Sequence, residues 1–201
     1  IVDLMEVEDV EEKENISLTS EDRSRYFLKI QDGCEQFCSY CIIPYTRGNL
    51  QSRSPEEVKQ EVEGAIKQGF KEIVLTGIHL GLYGAEKQNS KKLVDLLKDL
   101  IEINGLGRIR LSSIEINEIT ADLLSLIGSS DKICPHLHIP LQSGSDKILK
   151  AMNRPYSASF FREKTEYIKS RIPDTALTTD VMVGFPGEGE EEFRQTRDLI
   201  E

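Results

Sequence analysis

An α/β fold, a parallel sheet or partial barrel wrapped by helices, is the architecture this sequence predicts. Three observations carry that expectation. Strand-like apolar runs alternate with helix-like segments five times after an acidic start. The intervening segments are long enough for helical crossovers between parallel strands. Polar and glycine residues collect directly after each strand, where α/β folds place their working groups.

The predicted strands are Tyr26 to Gln31, Glu72 to Gly77, Arg108 to Ser113, His136 to Leu141 and Ala176 to Gly184. The first helix is signalled by Ser54 as N-cap, Pro55 at its first position, Glu57 completing a capping box and Gly69 at its stop. Val58, Val62, Ala65 and Ile66 share one face of it. The second helix is expected from a Ser90 cap to about Gly105, with Leu93, Val94, Leu97, Leu100 and Ile101 inward. A third lies between Thr120 and Gly128, a fourth runs from Ser145 past Pro155 to Ile172, and a fifth starts near Glu190. Five βα units fall short of the eight in a closed barrel of roughly 250 residues, so a partial barrel or an open sheet is expected.

The chain has 201 residues, is 38% hydrophobic and holds no tryptophan. It has no apolar run of membrane-spanning length, and one cored domain is expected. Nine acids against Lys13 put −8 of the net charge of −10 into Ile1 to Asp22. Residues 1–24 therefore read as an acidic linker and 25–201 as a nearly neutral domain. The absence of an initial methionine suggests a piece of a longer protein.

Three of the four cysteines sit in GCEQFCSYCIIPYTRG, Gly33 to Gly48. That crowding favours metal binding in a reducing, cytoplasmic setting over disulfides. The spacing of Cys34, Cys38 and Cys41 is C-x3-C-x2-C. Three thiolates suit an iron–sulfur cube with one open iron, whereas structural zinc usually takes four protein ligands. A zinc site completed by Cys134, His79, His136 or His138 is the alternative, with a zinc-stabilised RNA-binding module as its functional counterpart. Asp180, set among apolar neighbours in TTDVMVG, is expected to be buried and paired, an ion pair with Arg154 being one option.

CEQFCSYC after the first strand resembles the signature of the radical S-adenosylmethionine (SAM) superfamily. IIPYTRG, LTGIHLGLYG, LSSIEI, HLHIPLQSGSDKILKAMNR and DVMVGFPGEGEEEF, in that order, narrow the resemblance to the methylthiotransferases. GIHLGLYG with LSSIEINEIT resembles the branch acting on N6-threonylcarbamoyladenosine (t6A) at tRNA position 37; a thiotransferase acting on another tRNA base or on a ribosomal protein is the alternative within the family. The resemblance implies a (βα)6-type radical SAM barrel, here with five βα units and no sixth strand. It implies a [4Fe–4S] cluster on Cys34, Cys38 and Cys41, with SAM on the open iron. Tyr40, Gly77, Glu115, Gln142, Arg154 and Asp180 match positions that contact SAM, with Arg154 expected on its carboxylate. Arg47, Arg53, His79 and Tyr83 are candidates for the substrate side, with Glu56 or Glu57 as competing partners for the arginines. Only Thr76-Gly77 stands where relatives have glycine-glycine-glutamate, and Gly189 stands where they often have a capping threonine. The resemblance further implies an earlier domain with a second [4Fe–4S] cluster and a later RNA-gripping domain, neither within this sequence. tRNA and an electron donor such as flavodoxin or ferredoxin are the implied partners.

Overall fold

The computed structural model describes residues 24–88 and 90–201. The acidic linker therefore lies outside the described residues, apart from Ser24. Five parallel strands make a curled half-barrel: β1 (Arg25–Asp32), β3 (Glu72–Gly77), β4 (Arg108–Leu111), β5 (His136–His138) and β6 (Ala176–Thr178). A two-residue β2 (Gln51–Ser52) adds antiparallel to the outer side of β1. β1, β3 and β4 pair in register from Arg25↔Glu72 and Glu72↔Arg108, and β5 pairs with β6. Parallel bridges Ile109↔Ile133 and Ser113↔His138 carry the sheet across from β4 to β5. The fold class expected from the alternation is the one observed.

The helices cover the convex face. α2 (Pro55–Lys67), α3 (Leu93–Ile101), α4 (Ala121–Ser129) and α6 (Ala158–Arg171) bury Val58, Val62, Leu96, Leu97, Leu100, Leu123, Leu124, Phe161 and Ile168. Leu28, Ile30, Ile73, Leu75 and Ile109 meet them from the sheet. The other face of β1 carries Phe27 and Lys29, both exposed. Among the described residues no helix is long and apolar enough to cross a membrane.

The α2 start is built as the sequence predicts: Ser54 Oγ accepts from the Glu57 N–H at 3.2 Å, and the Ser54 N–H donates to Glu57 Oε2 at 3.0 Å. Replacing Ser54 with alanine is expected to cost about 1 kcal/mol, lowering Tm by roughly 2–4 °C in a domain of this size. A thermal melt reads it directly.

Three expectations need correction. The second helix starts at Leu93 rather than at a Ser90 cap, because Asp95 reaches back to accept from the Lys92 N–H at 3.1 Å. The predicted fourth helix is two, α5 (Asp146–Ala151) and α6, separated at Asn153–Pro155. Pro155 disfavours a helical Arg154, and Asn153 turns left-handed at φ 58°. The Arg154 and Asn153 N–H groups then close onto Leu149 and Lys150 carbonyls at 2.9 and 3.1 Å, the Schellman ending. A short helix, α1 (Ile43–Arg47), occupies the segment after the cysteines, where the alternation predicts none. The last helix, α7 (Glu190–Ile200), starts where expected, and Gly189 is compensated by its N–H donating to Glu192 Oε2 at 2.9 Å.

Candidate active site

The cysteine loop leaves the C-terminal end of β1 and is closed at its base by glycines. The Cys34 N–H donates to the Gly48 carbonyl at 3.0 Å, and Gly33 has φ 75°. A Cβ on Gly33 would lie 1.9 Å from the Asn49 carbonyl oxygen, so only glycine lets the two ends of the loop meet. On its other side the loop docks on the end of α5, whose last carbonyls have no partner within the helix. Ser39 supplies two donors: its N–H to Met152 O at 3.1 Å and its Oγ to Ala151 O at 2.9 Å. Asn153, freed to point back by its left-handed turn, donates to the Phe37 carbonyl at 3.0 Å. The break between α5 and α6 therefore helps to hold the cysteines.

All three thiols of the loop are free, Cys38 buried and Cys34 and Cys41 half-buried. Arg154 Nη1 lies 3.4 Å from Cys38 Sγ. The Gln36 N–H donates to Cys34 Sγ at 3.4 Å, and His79 Nδ1 is 3.7 Å from the same sulfur. Burial pushes the Cys34 thiol up, but the His79 and Gln36 hydrogen bonds outweigh it and hold it below its ordinary value.

Arg154 is the centre of the site. Only 9% exposed, it pairs through Nη2 with Glu115, donates from Nε to the Tyr156 hydroxyl at 3.1 Å, and lies 5.0 Å over the Tyr156 ring. Tyr156 is anchored in turn on the Pro140 and Leu141 carbonyls, both at 3.0 Å. Burial opposes the guanidinium charge, yet Glu115 and its other neighbours keep its pKa above the usual arginine value. Glu115 is itself pushed up by burial, only partly countered by Arg154. Burial likewise raises the Tyr156 phenol to about 12.

Tyr40 packs edge-on against Phe185 of the GFPG turn, ring centroids 6.4 Å apart, bringing the first and last loops together. Gln142 turns at φ 66° and exchanges backbone hydrogen bonds with Asp180 and Met182 at 2.9 and 2.8 Å. Gly77 leaves no room for a side chain, since its Cβ would stand 2.9 Å from Gln31 Oε1.

Several placements differ from the sequence-based expectation. Asp180 is exposed over 73% of its side chain and pairs with His138 at 3.2 Å, not with Arg154. It follows β6 beside Val181 and Val183, which are exposed too, so apolar neighbours do not imply burial. Arg154, expected on the SAM carboxylate, directs Nη2 to Glu115, Nη1 to Cys38 and Nε to Tyr156. His79 and Tyr83, candidates for the substrate side, are buried. Tyr83 donates to the Arg53 carbonyl at 2.7 Å, and burial raises its phenol to about 12. Arg53 pairs with Glu61 at 2.7 Å instead of Glu56 or Glu57, and Arg47 stays exposed, 4.0 Å from Asp32.

The zinc alternative does not assemble. Cys134 is buried beside Ile109 at the N-terminal ends of β4 and β5, the opposite rim from the cysteine loop. His136 and His138 do share a strand face, but both turn to the Thr178 hydroxyl, at 3.1 and 2.9 Å. Among the described residues no three His, Cys, Asp or Glu side chains converge on a single-ion position. A cube offers a separate iron to each thiolate, so three free thiols on one loop with hydrogen-bond donors at two of the sulfurs fit an iron–sulfur cluster.

Three contributors escaped the sequence reading. Gln31, 1% exposed, accepts from the His79 N–H at 2.7 Å and donates to the Gly33 carbonyl at 2.9 Å, tying the cysteine loop to the β3 loop. Tyr156 and Glu118 are the others. Glu118 pairs with His79 Nε2 and packs on Gly81, where a Cβ would sit 2.5 Å from the Glu118 Cβ. Gly81→Ala is expected to destabilise the domain by about 1–3 kcal/mol, measurable in urea unfolding. The alternation along β1 puts Gln31 on the face of exposed Phe27 and Lys29, and only the register shift after Lys29 buries it; nothing in the local sequence distinguishes Glu118 from the exposed acids.

Comparison with known proteins accords with this geometry. The profile of the Radical SAM superfamily matches residues 28–200. The chain is 50% identical over 181 residues to threonylcarbamoyladenosine tRNA methylthiotransferase MtaB of Bacillus subtilis, covering 89% of this chain and 40% of that protein. It is 41% identical over 187 residues to tRNA-2-methylthio-N(6)-dimethylallyladenosine synthase of Carboxydothermus hydrogenoformans, covering 93% of this chain and 42% of that one. The chain thus spans about two fifths of these relatives. Among solved structures, the radical SAM methyltransferase TsrM from Kitasatospora setae, with cobalamin and a [4Fe–4S] cluster bound, shares the fold. Its TM-score is 0.70 at 18% identity, over 87% of this chain and 34% of that one. Membership implies a [4Fe–4S] cluster and SAM, and the chain belongs to the radical SAM superfamily.

Proposed function

We propose that this chain is the catalytic core of a tRNA methylthiotransferase acting at carbon 2 of t6A at position 37. The observation that carries the reading is three free thiols on one loop at the C-terminal rim, with the fourth cysteine on the opposite rim. The t6A branch is supported by greater identity to the MtaB relatives, 50% and 46%, than to the dimethylallyladenosine synthases, 38% to 42%.

When bound, the cluster and SAM supply a one-electron cleavage of the sulfur to 5′-carbon bond and a 5′-deoxyadenosyl radical. Cys34, Cys38 and Cys41 hold the cluster. Arg154 holds Cys38 and Glu115 in place, so Glu115 rather than the guanidinium meets the polar groups of SAM. The Gly77 backbone, Gln142 and Asp180 would supply further hydrogen bonds to SAM, and the Tyr40–Phe185 pair would offer it an aromatic surface. Exposed Arg47 is available to RNA phosphates, whereas Arg53 is held by Glu61. The whole protein adds a second [4Fe–4S] cluster and an RNA-gripping domain, takes electrons from a flavodoxin or ferredoxin, and works in the reducing cytoplasm.

Anaerobic reconstitution with iron and sulfide, then SAM and dithionite, tests the core reading. A brown protein that yields 5′-deoxyadenosine is expected; a colourless protein that fills with one zinc and yields none overturns it. Mass spectrometry of tRNA treated with the full-length protein tests the substrate: methylthiolation of a base other than t6A overturns that part alone.

A further inference from the structure

We propose that His79, held by Glu118, donates a hydrogen bond to the Cys34 sulfur and thereby raises the reduction potential of the cluster. The inference rests on the reading that the three thiols of the loop bind a [4Fe–4S] cluster. Glu118, His79 and Cys34 form a continuous line from the protein interior to the loop: Glu118 Oε1 on His79 Nε2, and His79 Nδ1 3.7 Å from Cys34 Sγ. The His79 and Glu118 side chains are 8% and 7% exposed.

The ring has little freedom. Its backbone N–H is pinned by Gln31, its Nε2 by the carboxylate, and Glu118 is pressed onto Gly81, where no side chain fits. A sulfur bonded to iron carries no hydrogen, so Nδ1 is the donor in the contact with Cys34. Glu118 Oε2 is buried with no partner, an arrangement that packing alone disfavours. An acid kept there at that cost orients the imidazole, as carboxylates do behind metal-bound histidines.

A hydrogen bond to a cluster sulfur withdraws negative charge and favours the reduced state. The step affected is the gain of one electron by the oxidised cluster from a low-potential one-electron reductant, which is itself oxidised. The motif GIHLGLYG thereby acquires a role on the cofactor side of the site: its histidine is a positioning residue for the ligand sulfur, and its Gly81 makes room for the acid behind it.

The test is an EPR-monitored redox titration of the anaerobically reconstituted chain with titanium(III) citrate. In His79→Leu the ratio of reduced to oxidised cluster at a given potential is expected to fall about tenfold, a 59 mV lower midpoint for a one-electron couple. His79→Gln, whose amide N–H can replace the donor, should recover at least half of that shift. Pulsed EPR of the reduced wild-type cluster labelled with 15N-histidine should show a nitrogen coupling that His79→Gln removes. An unchanged midpoint in His79→Leu at full iron and sulfide content overturns the proposal, even if Tm falls. Absence of the 15N coupling in the wild type overturns it as well, and that measurement decides the matter if the leucine variant cannot hold a cluster. A wild-type chain that forms no [4Fe–4S] cluster overturns the cofactor reading together with this one.

Discussion

Cys38→Ala is expected to abolish both the brown cluster absorbance of the reconstituted chain and its production of 5′-deoxyadenosine. Cys38 is the buried member of the three thiols, and its sulfur is the one that Arg154 approaches at 3.4 Å. Alanine leaves two thiolates for a cluster that needs three and removes a partner from a buried guanidinium. The loss should exceed the roughly 10–100-fold typical of changes to groups behind a metal ligand. Cys134→Ala is the matched control: it removes a buried thiol on the opposite rim and should leave iron content and 5′-deoxyadenosine yield at wild-type levels. Iron analysis with an assay for 5′-deoxyadenosine separates the two outcomes; equal loss in both variants would refute the assignment of the loop.

Arg154→Ala is expected to cost about 3 kcal/mol or more, because removing one partner of a buried pair leaves the other uncompensated. For a chain of this length that is a fall in Tm of roughly 6–12 °C. The pH dependence has a definite sign. The Glu115 pKa is already raised in the folded state, so the neutral acid is the form that folding favours and its contribution is lost as pH rises through the folded value. Without Arg154 that value rises further, since the charge opposing the burial is gone. The penalty of the variant should therefore be larger at pH 7 than near the ordinary carboxyl value of 4.5. Urea unfolding of both proteins at the two pH values measures it, and a penalty independent of pH would mean that Glu115 is not the partner that matters. Since Arg154 also steadies Cys38, the variant should take up less iron per chain.

The fold was legible because its signals are local. The alternation of apolar runs, the Ser54–Glu57 box and the Thr120 cap of α4 depend on neighbours within a few residues, and α2 and α4 start where those caps stand. The fourth helix was misread because its apolar spacing continues through Pro155, while the proline and a left-handed Asn153 prevail over the periodicity. That error concerned function as well, since the break presents the Ala151 and Met152 carbonyls and the Asn153 amide to the cysteine loop. Asp180 differs from expectation for a related reason: hydropathy around a residue says what its neighbours prefer, and here Val181 and Val183 beside it are themselves exposed.

From residue order alone come an α/β chain of five βα units, the three-thiol loop at the end of its first strand, and the rim on which polar and glycine residues gather; that the sheet curls into a half-barrel instead of staying open is decided by the bridges from β4 to β5. Which charged groups face one another was decided only by tertiary structure. Arg154 and Glu115 are 39 residues apart, His138 and Asp180 are 42 apart, and Cys34 and His79 are 45 apart. A charge removed from water must find a partner within a few ångströms, and that choice follows from strand order, register and depth of burial once the sheet has curled. Residue order puts three thiols on one loop, and the packing selects the charged groups that stand beside them.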